Sequence, residues 1–429
     1  MIVSTPLVFT KGSRSRRNSL GLSLLACMLL GGGTGRGLLV DGLLQCLVIA
    51  SSGYALWNGT WTRAARYGAG LLALTTLMVL IQLIPLPVSF IEIFRPEALL
   101  PFNSSGSLQL AIGTISLSAS RTLEAGIFVI VPLLFFTALV SMPNGTAISL
   151  LPFFMIGLCC NLVAAGLQYS FSGNTNLGNL IGFEVMVGMF ANRNHFTTLL
   201  LSSIPLLVYF GIFQGRLLVS AILISFIFLI LLATGSRAGI LIGLSLIIFS
   251  VVLLLWRRHL SLLALVIIFV VILTFIYAAS LNVEMRDLDP DFGRLEFAKT
   301  TLLALKQNWV LGTGLGTFDL VYPYYENSSM IFAEYVNHAH NDFLEVALEA
   351  GVLGILIFLV YLALMFVRIR NVGNMPLVRL VLLSILVVFL HSQVDYPMRT
   401  MAVIMIFSYL NAMFFSDLKK SIVNTPDRC

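Results

Sequence analysis

Apolar stretches of about 20 residues, the length a helix needs to cross the hydrocarbon core of a bilayer, recur along this 429-residue chain with short polar breaks between them. A backbone in lipid must satisfy its own hydrogen bonds, and a run of helices does so. The pattern therefore predicts an all-α polytopic membrane protein. Charged residues make up only 10% of the chain, against about 25% in a soluble domain, and mean hydropathy is +0.98. A water-soluble globular fold is excluded. Candidate spans lie near 19–35, 37–56, 67–89, 121–141, 146–170, 188–211, 217–234, 239–255, 260–280, 343–367, 376–393 and 400–416, about 12 transmembrane helices in one membrane domain, 1–429. The first two are interrupted by Gly31-Gly32-Gly33 and Asp41. The basic segment Lys11 to Arg17 reads as the flank of a first span, because no small-residue cleavage site leads from it into a soluble domain.

An even number of spans puts both termini on one side, and charge selects the side. With the N-terminus in the cytoplasm, the inner segments hold Lys11, Arg14, Arg16, Arg17, Arg63, Arg66, Arg216, Arg257, Arg258, Arg368, Arg370, Lys419, Lys420 and Arg428. Their acids are Asp417 and Asp427. This bias accounts for the net charge of +6 as topology, with no call on nucleic acid. Two outer segments are long. Residues 86–120 are rich in Pro, Ser and Gly and read as a loop along the membrane surface. Residues 281–342 read as a large outer loop, in which Phe292, Leu295, Ala298, Leu302, Leu303 and Leu305 alternate with Arg294, Glu296, Lys299 and Lys306 as in an amphipathic helix at the membrane interface. The following Gly312-Thr313-Gly314-Leu315-Gly316 reads as a flexible turn, since a phosphate loop needs a strand-turn-helix context. The five cysteines have no metal-ligand spacing and read as small apolar residues. The four Asn-x-Ser/Thr sites at Asn58, Asn103, Asn144 and Asn327 are expected by chance.

Polar residues at a membrane boundary are costly unless they bind or react, and they concentrate in four places. The first is His338-Ala339-His340-Asn341-Asp342-Phe343-Leu344-Glu345, with Glu349 beyond it. At helical spacing His338, Asp342, Glu345 and Glu349 share one face. The segment permits acid/base or substrate-binding chemistry, a capped helix start, or a metal site, although the zinc pattern of two histidines four apart on a helix is missing. The second is Thr234-Gly235-Ser236-Arg237-Ala238-Gly239, a tight turn whose Arg237 lies on the side where arginines are scarce; snorkelling from a helix end is the simpler alternative. The third is Phe190-Ala191-Asn192-Arg193-Asn194-His195, with Arg193 again on the outer side. The fourth is His391-Ser392-Gln393-Val394-Asp395-Tyr396-Pro397-Met398-Arg399, in which Asp395 and Arg399 are placed to pair with each other. Arginines near histidine and carboxylates at one membrane face suit a diphosphate-bearing ligand, because a guanidinium stays charged and grips phosphate oxygens through two parallel hydrogen bonds. An imidazole, which titrates near neutral pH, can accept a proton from an attacking hydroxyl.

The chain resembles the bacterial O-antigen ligase and O-antigen polymerase superfamily, whose members transfer glycans from undecaprenyl diphosphate. The most specific likeness is a histidine, an Asn/Ser/Gln, nine residues, Gly, two residues and Gly, matched by His340-Asn341, Asp342 to Ala350, Gly351 and Gly354. The Phe-Ala-Asn-Arg-Asn-His, Gly-Ser-Arg-Ala-Gly and His-Ser-x-x-Asp-Tyr-Pro segments are similar to family landmarks. The resemblance implies a GT-C-like fold in the inner (cytoplasmic) membrane and a metal-independent, inverting glycosyltransferase with no cofactor and a periplasmic site. It makes His340 the activating base ahead of His338, and gives Arg193, Arg237 and Arg294 the donor diphosphate. Asn341, Asp342, Glu345 and Arg399 complete the expected substrate-binding set. The implied partners are an undecaprenyl diphosphate-linked glycan, membrane lipids, and either lipid A–core or a second lipid-linked glycan as acceptor. Most outer arginines fit one site, which favours a ligase over a polymerase. The short tail after the last span disfavours the longer protein O-oligosaccharyltransferases. A secondary transporter is a remoter alternative, because no two similar halves are visible.

Overall fold

In a computed structural model, the described residues are 10–35, 37–95, 112–171, 187–258, 290–327, 335–373 and 375–416, and most of them are helical. Before the long loop the main helices are α1 (Lys11–Leu30), α2 (Leu39–Leu56), α3 (Arg63–Leu83), α4 (Ala119–Ser141), α5 (Leu151–Phe171), α6 (Arg193–Phe213), α7 (Leu217–Thr234) and α8 (Arg237–Arg258). After it come α9 (Pro290–Asn308), α10 (Phe318–Tyr325), α11 (Asp342–Asn371), α12 (Pro376–His391) and α13 (Met401–Phe415). Seven described helices are long and apolar enough to cross a membrane, and three shorter apolar ones lie at Arg237–Leu253, Pro376–His391 and Met401–Phe415. The chain is a multi-pass membrane protein. The expected span at 260–280 lies outside the described residues.

Helix α6 is the centre of the packing. Phe196, Leu199, Leu200, Leu201 and Ile204 are fully buried on it, and it lies against α7, α8 and α12. A 2.6 Å hydrogen bond joins the Thr198 hydroxyl of α6 to Nδ1 of His391, the last residue of α12. The glycines after α1 end that helix at Leu30, short of the expected 19–35, because two other segments come in there. The Ala191 amide donates to Gly32 O (3.0 Å) and the Ala402 amide to Gly31 O (2.9 Å). A Cβ on Gly32 would lie 2.3 Å from Met189 O, so only glycine allows this approach.

Among the described residues of the two long segments, the chain makes specific pairings where a surface loop and a flexible turn were expected. Pro85–Pro87 and Ile112–Thr114 pair as a short antiparallel sheet, and the buried Arg95 donates from Nη2 to the carbonyls of Ile115 and Gly312. The Gly312–Gly316 turn is packed, which corrects the reading as a flexible turn. It sits against a kink in α11 at Gly351 (φ 59°, ψ −152°). The kink frees carbonyls of α11, and the turn satisfies them: Thr313 N donates to Leu348 O (3.1 Å) and Gly314 N to Glu349 O (2.9 Å). The Gln82 side chain from α3 adds a donor to Glu349 O at 2.9 Å and accepts from Leu315 N at 3.1 Å. A Cβ on Gly351 would meet Gly312 N at 2.5 Å. Gly351→Ala therefore combines a positive φ with a backbone clash and should destabilise the protein by about 1–3 kcal/mol, read as a lower unfolding temperature in detergent.

Helix α9 covers this region. It packs on α10 and α11 through Thr300, Thr301, Ala304 and Asn308, which are buried, while Leu295, Leu302 and Leu303 point outward. A helix thus forms over this stretch, but apolar and polar residues do not segregate cleanly on it: Thr300, Thr301, Ala304 and Asn308 are buried, and these three leucines are exposed.

Candidate active site

The site is assembled from four stretches of chain around one carboxylate, that of Asp395. Asn194 Nδ2 donates to its Oδ2. Nη2 of Arg294 lies 3.7 Å from Oδ2, and Nδ1 of His340 lies 3.6 Å and Nε2 of His195 3.9 Å from Oδ1. The Tyr396 amide donates to Oδ1 at 2.8 Å. The carboxylate is buried, with side-chain exposure of 1%. Burial alone would raise its pKa, but the imidazoles of His340 and His195 and the guanidinium of Arg294 outweigh that and hold it below the usual carboxylate range. Asp395 is therefore an anion at any pH the cell meets.

His340 carries a signature of its own. It is the one described non-glycine residue with positive φ, at 49°, a conformation that costs about 1–3 kcal/mol where surroundings enforce it. The enforcing contacts are Asp395, the ring of Phe297 from α9 at 5.5 Å and the ring of Tyr396 edge-on at 4.9 Å. The next residue, Asn341, caps α11: Oδ1 accepts from the amides of Phe343 and Leu344, and Nδ2 donates to Gln393 O at 3.0 Å. Its polar atoms hold the loop that carries His340, and a place in the substrate-binding set is served only through that loop.

A second cluster lies on the other side of Tyr396. Asp342, Glu345 and Glu349 share one face of α11 and converge on Arg399, at 3.9 Å to Nε for Asp342 and at 3.3 and 3.0 Å to Nη2 for Glu345 and Glu349. Although burial opposes its charge, these three acids push the pKa of Arg399 above the usual range. This corrects the expected Asp395–Arg399 pair: both ions are engaged, with different partners. The reason lies in the turn Pro397–Arg399, a single 3-10 turn that separates the two side chains. His338 is also corrected. Helix α11 begins at Asp342, so His338 stands ahead of it and off the shared face. Its Nδ1 reaches Glu345 Oε1 at 2.8 Å, while the Ala339 amide donates to Glu345 Oε2 at 2.9 Å. The His338 ring stacks on Tyr396 at 4.2 Å, and His195 meets the same ring edge-on at 4.8 Å. Tyr396 thus separates two histidine–carboxylate pairs. Burial and then Asp395 push its phenol up to about 12.

Arg193 and Arg237 are the first residues of α6 and α8, and both are exposed. Arg193 Nη1 reaches the Thr234 carbonyl at 3.5 Å, so the two arginine motifs meet. The Asn192 side chain caps α6 by accepting from the Asn194 amide at 2.7 Å, and Ser236 Oγ accepts from the Gly239 amide at 3.2 Å at the start of α8. Two helix N-termini with their positive partial charge and two arginines thus lie together, beside the Asn194 and His195 that reach Asp395. Arg294 joins from α9. No group of three or more His, Cys, Asp or Glu among the described residues is arranged to hold a metal ion.

Residues 220–359 match the family model described as O-antigen ligase. This segment, about a third of the chain, is similar to the O-antigen ligase family. The matched residues include Arg237, Arg294, His338, His340 and all three acids on Arg399, while Arg193, Asp395 and Arg399 lie outside them. No curated protein matches the chain. The match supports a coarse activity, that of a glycosyltransferase-like membrane enzyme acting on lipid-linked glycans in lipopolysaccharide biosynthesis.

Sequence reasoning missed Asp395 as the hub and Tyr396 and His195 as its neighbours. The available signal was an aspartate next to an apolar run, which at a membrane boundary needs a cationic partner.

Proposed function

We propose that this protein transfers a glycan from undecaprenyl diphosphate to a sugar hydroxyl of lipid A–core, at the periplasmic face of the inner membrane, with both termini in the cytoplasm. The chain acts as one membrane domain, with α9 of the expected 281–342 loop covering the site. The observation that supports this reading is the convergence on Asp395 of a histidine in a strained backbone, an arginine from the covering helix, and Asn194 and His195 from the start of α6.

Arg193, Arg237 and the two helix N-termini bind the donor diphosphate, and Arg294 joins them from Asp395. Asp395 orients the His340 ring. The acceptor hydroxyl gives its proton to His340 while its oxygen bonds to the anomeric carbon. The bond from that carbon to the diphosphate oxygen breaks, and the diphosphate leaves with the electron pair, its charge held by the arginines. Attack opposite the leaving group inverts the anomeric centre, and no step calls for a metal ion. His338, Asp342, Glu345 and Arg399 bear on the same centre through Tyr396 and the turn that ends in Arg399.

His340→Ala should abolish transfer, by about 10²- to 10⁴-fold, with protein level and membrane insertion unchanged. Arg237→Lys keeps the charge but loses the two-pronged grip, so transfer should fall partially. The readout is gel analysis of lipopolysaccharide from a gene-deletion strain carrying each variant. Full capping in the His340→Ala strain would sink the assignment. Deletion that leaves lipid A–core capped with single repeat units would mark a polymerase instead.

A further inference from the structure

A cavity of about 760 Å³ lies between α2, α3, α4, α11 and α13, on the Arg399 side of the site. Its walls are aromatic and aliphatic, with Phe128, Phe136, Phe358 and Phe407 among them, and it follows α11 from Asp342 to Leu364. At 1.5 Å per residue that is about 30 Å, the thickness of a hydrocarbon core. The lining carries charge of both signs, at Asp41, Glu124 and Asp342 and at Arg121 and Arg399. Arg121 is shared with Asp319, and Arg399 with the three acids of α11. Asp342 is held by Arg399 and by the Met398 amide, which donates to its Oδ2 at 3.2 Å. Asp41 Oδ1, by contrast, is buried and accepts no hydrogen bond among the described residues. A buried carboxylate oxygen in that condition calls for a donor.

We propose that this cavity is a binding site for a zwitterionic aminophospholipid, distinct from the glycan donor and acceptor. One acyl chain lies along α11. The primary ammonium donates to the carboxylates of Asp41 and Glu124, and the phosphate faces Arg121, whose guanidinium has donors beyond the one on Asp319. An excess of carboxylates in the lining disfavours an anionic head. A primary ammonium has three N–H donors, whereas a quaternary ammonium has none and leaves Asp41 Oδ1 unanswered.

Native mass spectrometry of the full-length protein in detergent tests this, with phosphatidylethanolamine, phosphatidylcholine and phosphatidylglycerol of identical chains supplied in equal amounts. Phosphatidylethanolamine should be retained about tenfold over each of the others, the scale of one hydrogen bond to a charged group. Asp41→Asn combined with Glu124→Gln should bring the three lipids close to parity. Ile357→Trp, which fills the cavity wall, should remove the bound lipid, with thermal unfolding checking that the variant is folded. Transfer-inactive His340→Ala should keep the preference, which separates this proposal from the catalytic one. Equal retention of phosphatidylcholine, or a preference for phosphatidylglycerol, overturns it. Displacement of the lipid by an alkyl glucoside or a polyprenyl phosphate overturns it as well, because the cavity would then belong to a substrate.

Discussion

Replacing Asp395 with Asn is expected to lower glycan transfer by about 10²-fold or more, the lower end of what a positioned acid/base contributes. The substitution keeps size and hydrogen-bonding capacity but removes the charge on which His340, His195 and Arg294 converge. Without it the His340 ring loses its orienting partner, and the left-handed backbone at that residue loses one of the contacts that enforce it. Arg294 is released from its tether as well. Transfer should be measured in membranes alongside the unfolding temperature, because Asp395 also contributes to stability. The sign follows from its depressed pKa in the folded state. A carboxylate near pKa 3.9 when unfolded binds more protons in the unfolded chain at low pH, so its contribution is complete above about pH 5 and is lost as pH falls toward the folded value. The wild type should therefore lose stability on acidification below about pH 4, and Asp395→Asn should lose less over the same range. Near-normal transfer by Asp395→Asn would remove Asp395 from the centre of the mechanism.

The helices were legible because a bilayer dictates their length and composition. Expected spans at 121–141, 217–234 and 376–393 fall within a few residues of α4, α7 and α12. The local motifs were legible as well, since arginines and histidines at a membrane face stand out against an apolar background. What could not be read was which polar group faces which. Asp395 and Arg399 are four apart, and that spacing suggested a pair, but the pairing was decided by a 3-10 turn and by the arrival of α11 with three acids. The glycine turn at Gly312 looked flexible because its partner, the kink at Gly351, lies almost forty residues away. Its fit depends on carbonyls exposed only once α11 bends.

Arg399→Ala should be among the most destabilising single changes in the protein. It leaves Asp342, Glu345 and Glu349 buried without the guanidinium that all three face, and only Glu345 keeps a cationic candidate in His338. Breaking a buried ion pair from one side costs about 3–5 kcal/mol, because the remaining charge has no compensation. Arg399→Lys should be intermediate, since an ammonium is a point charge and cannot span three carboxylates as a planar fork does. Two further readings separate this from simple loss of packing. Adding Glu349→Gln to Arg399→Ala should recover part of the lost stability, because it removes one uncompensated charge. The deficit of Arg399→Ala should also shrink as pH is lowered, because the orphaned carboxylates take up protons in the folded state at higher pH than in the unfolded chain. Thermal unfolding in detergent across pH 5 to 8 measures both. An unfolding temperature unchanged by Arg399→Ala would mean that the three acids of α11 are already neutral, and the cluster would then be a hydrogen-bonded network with no ionic role.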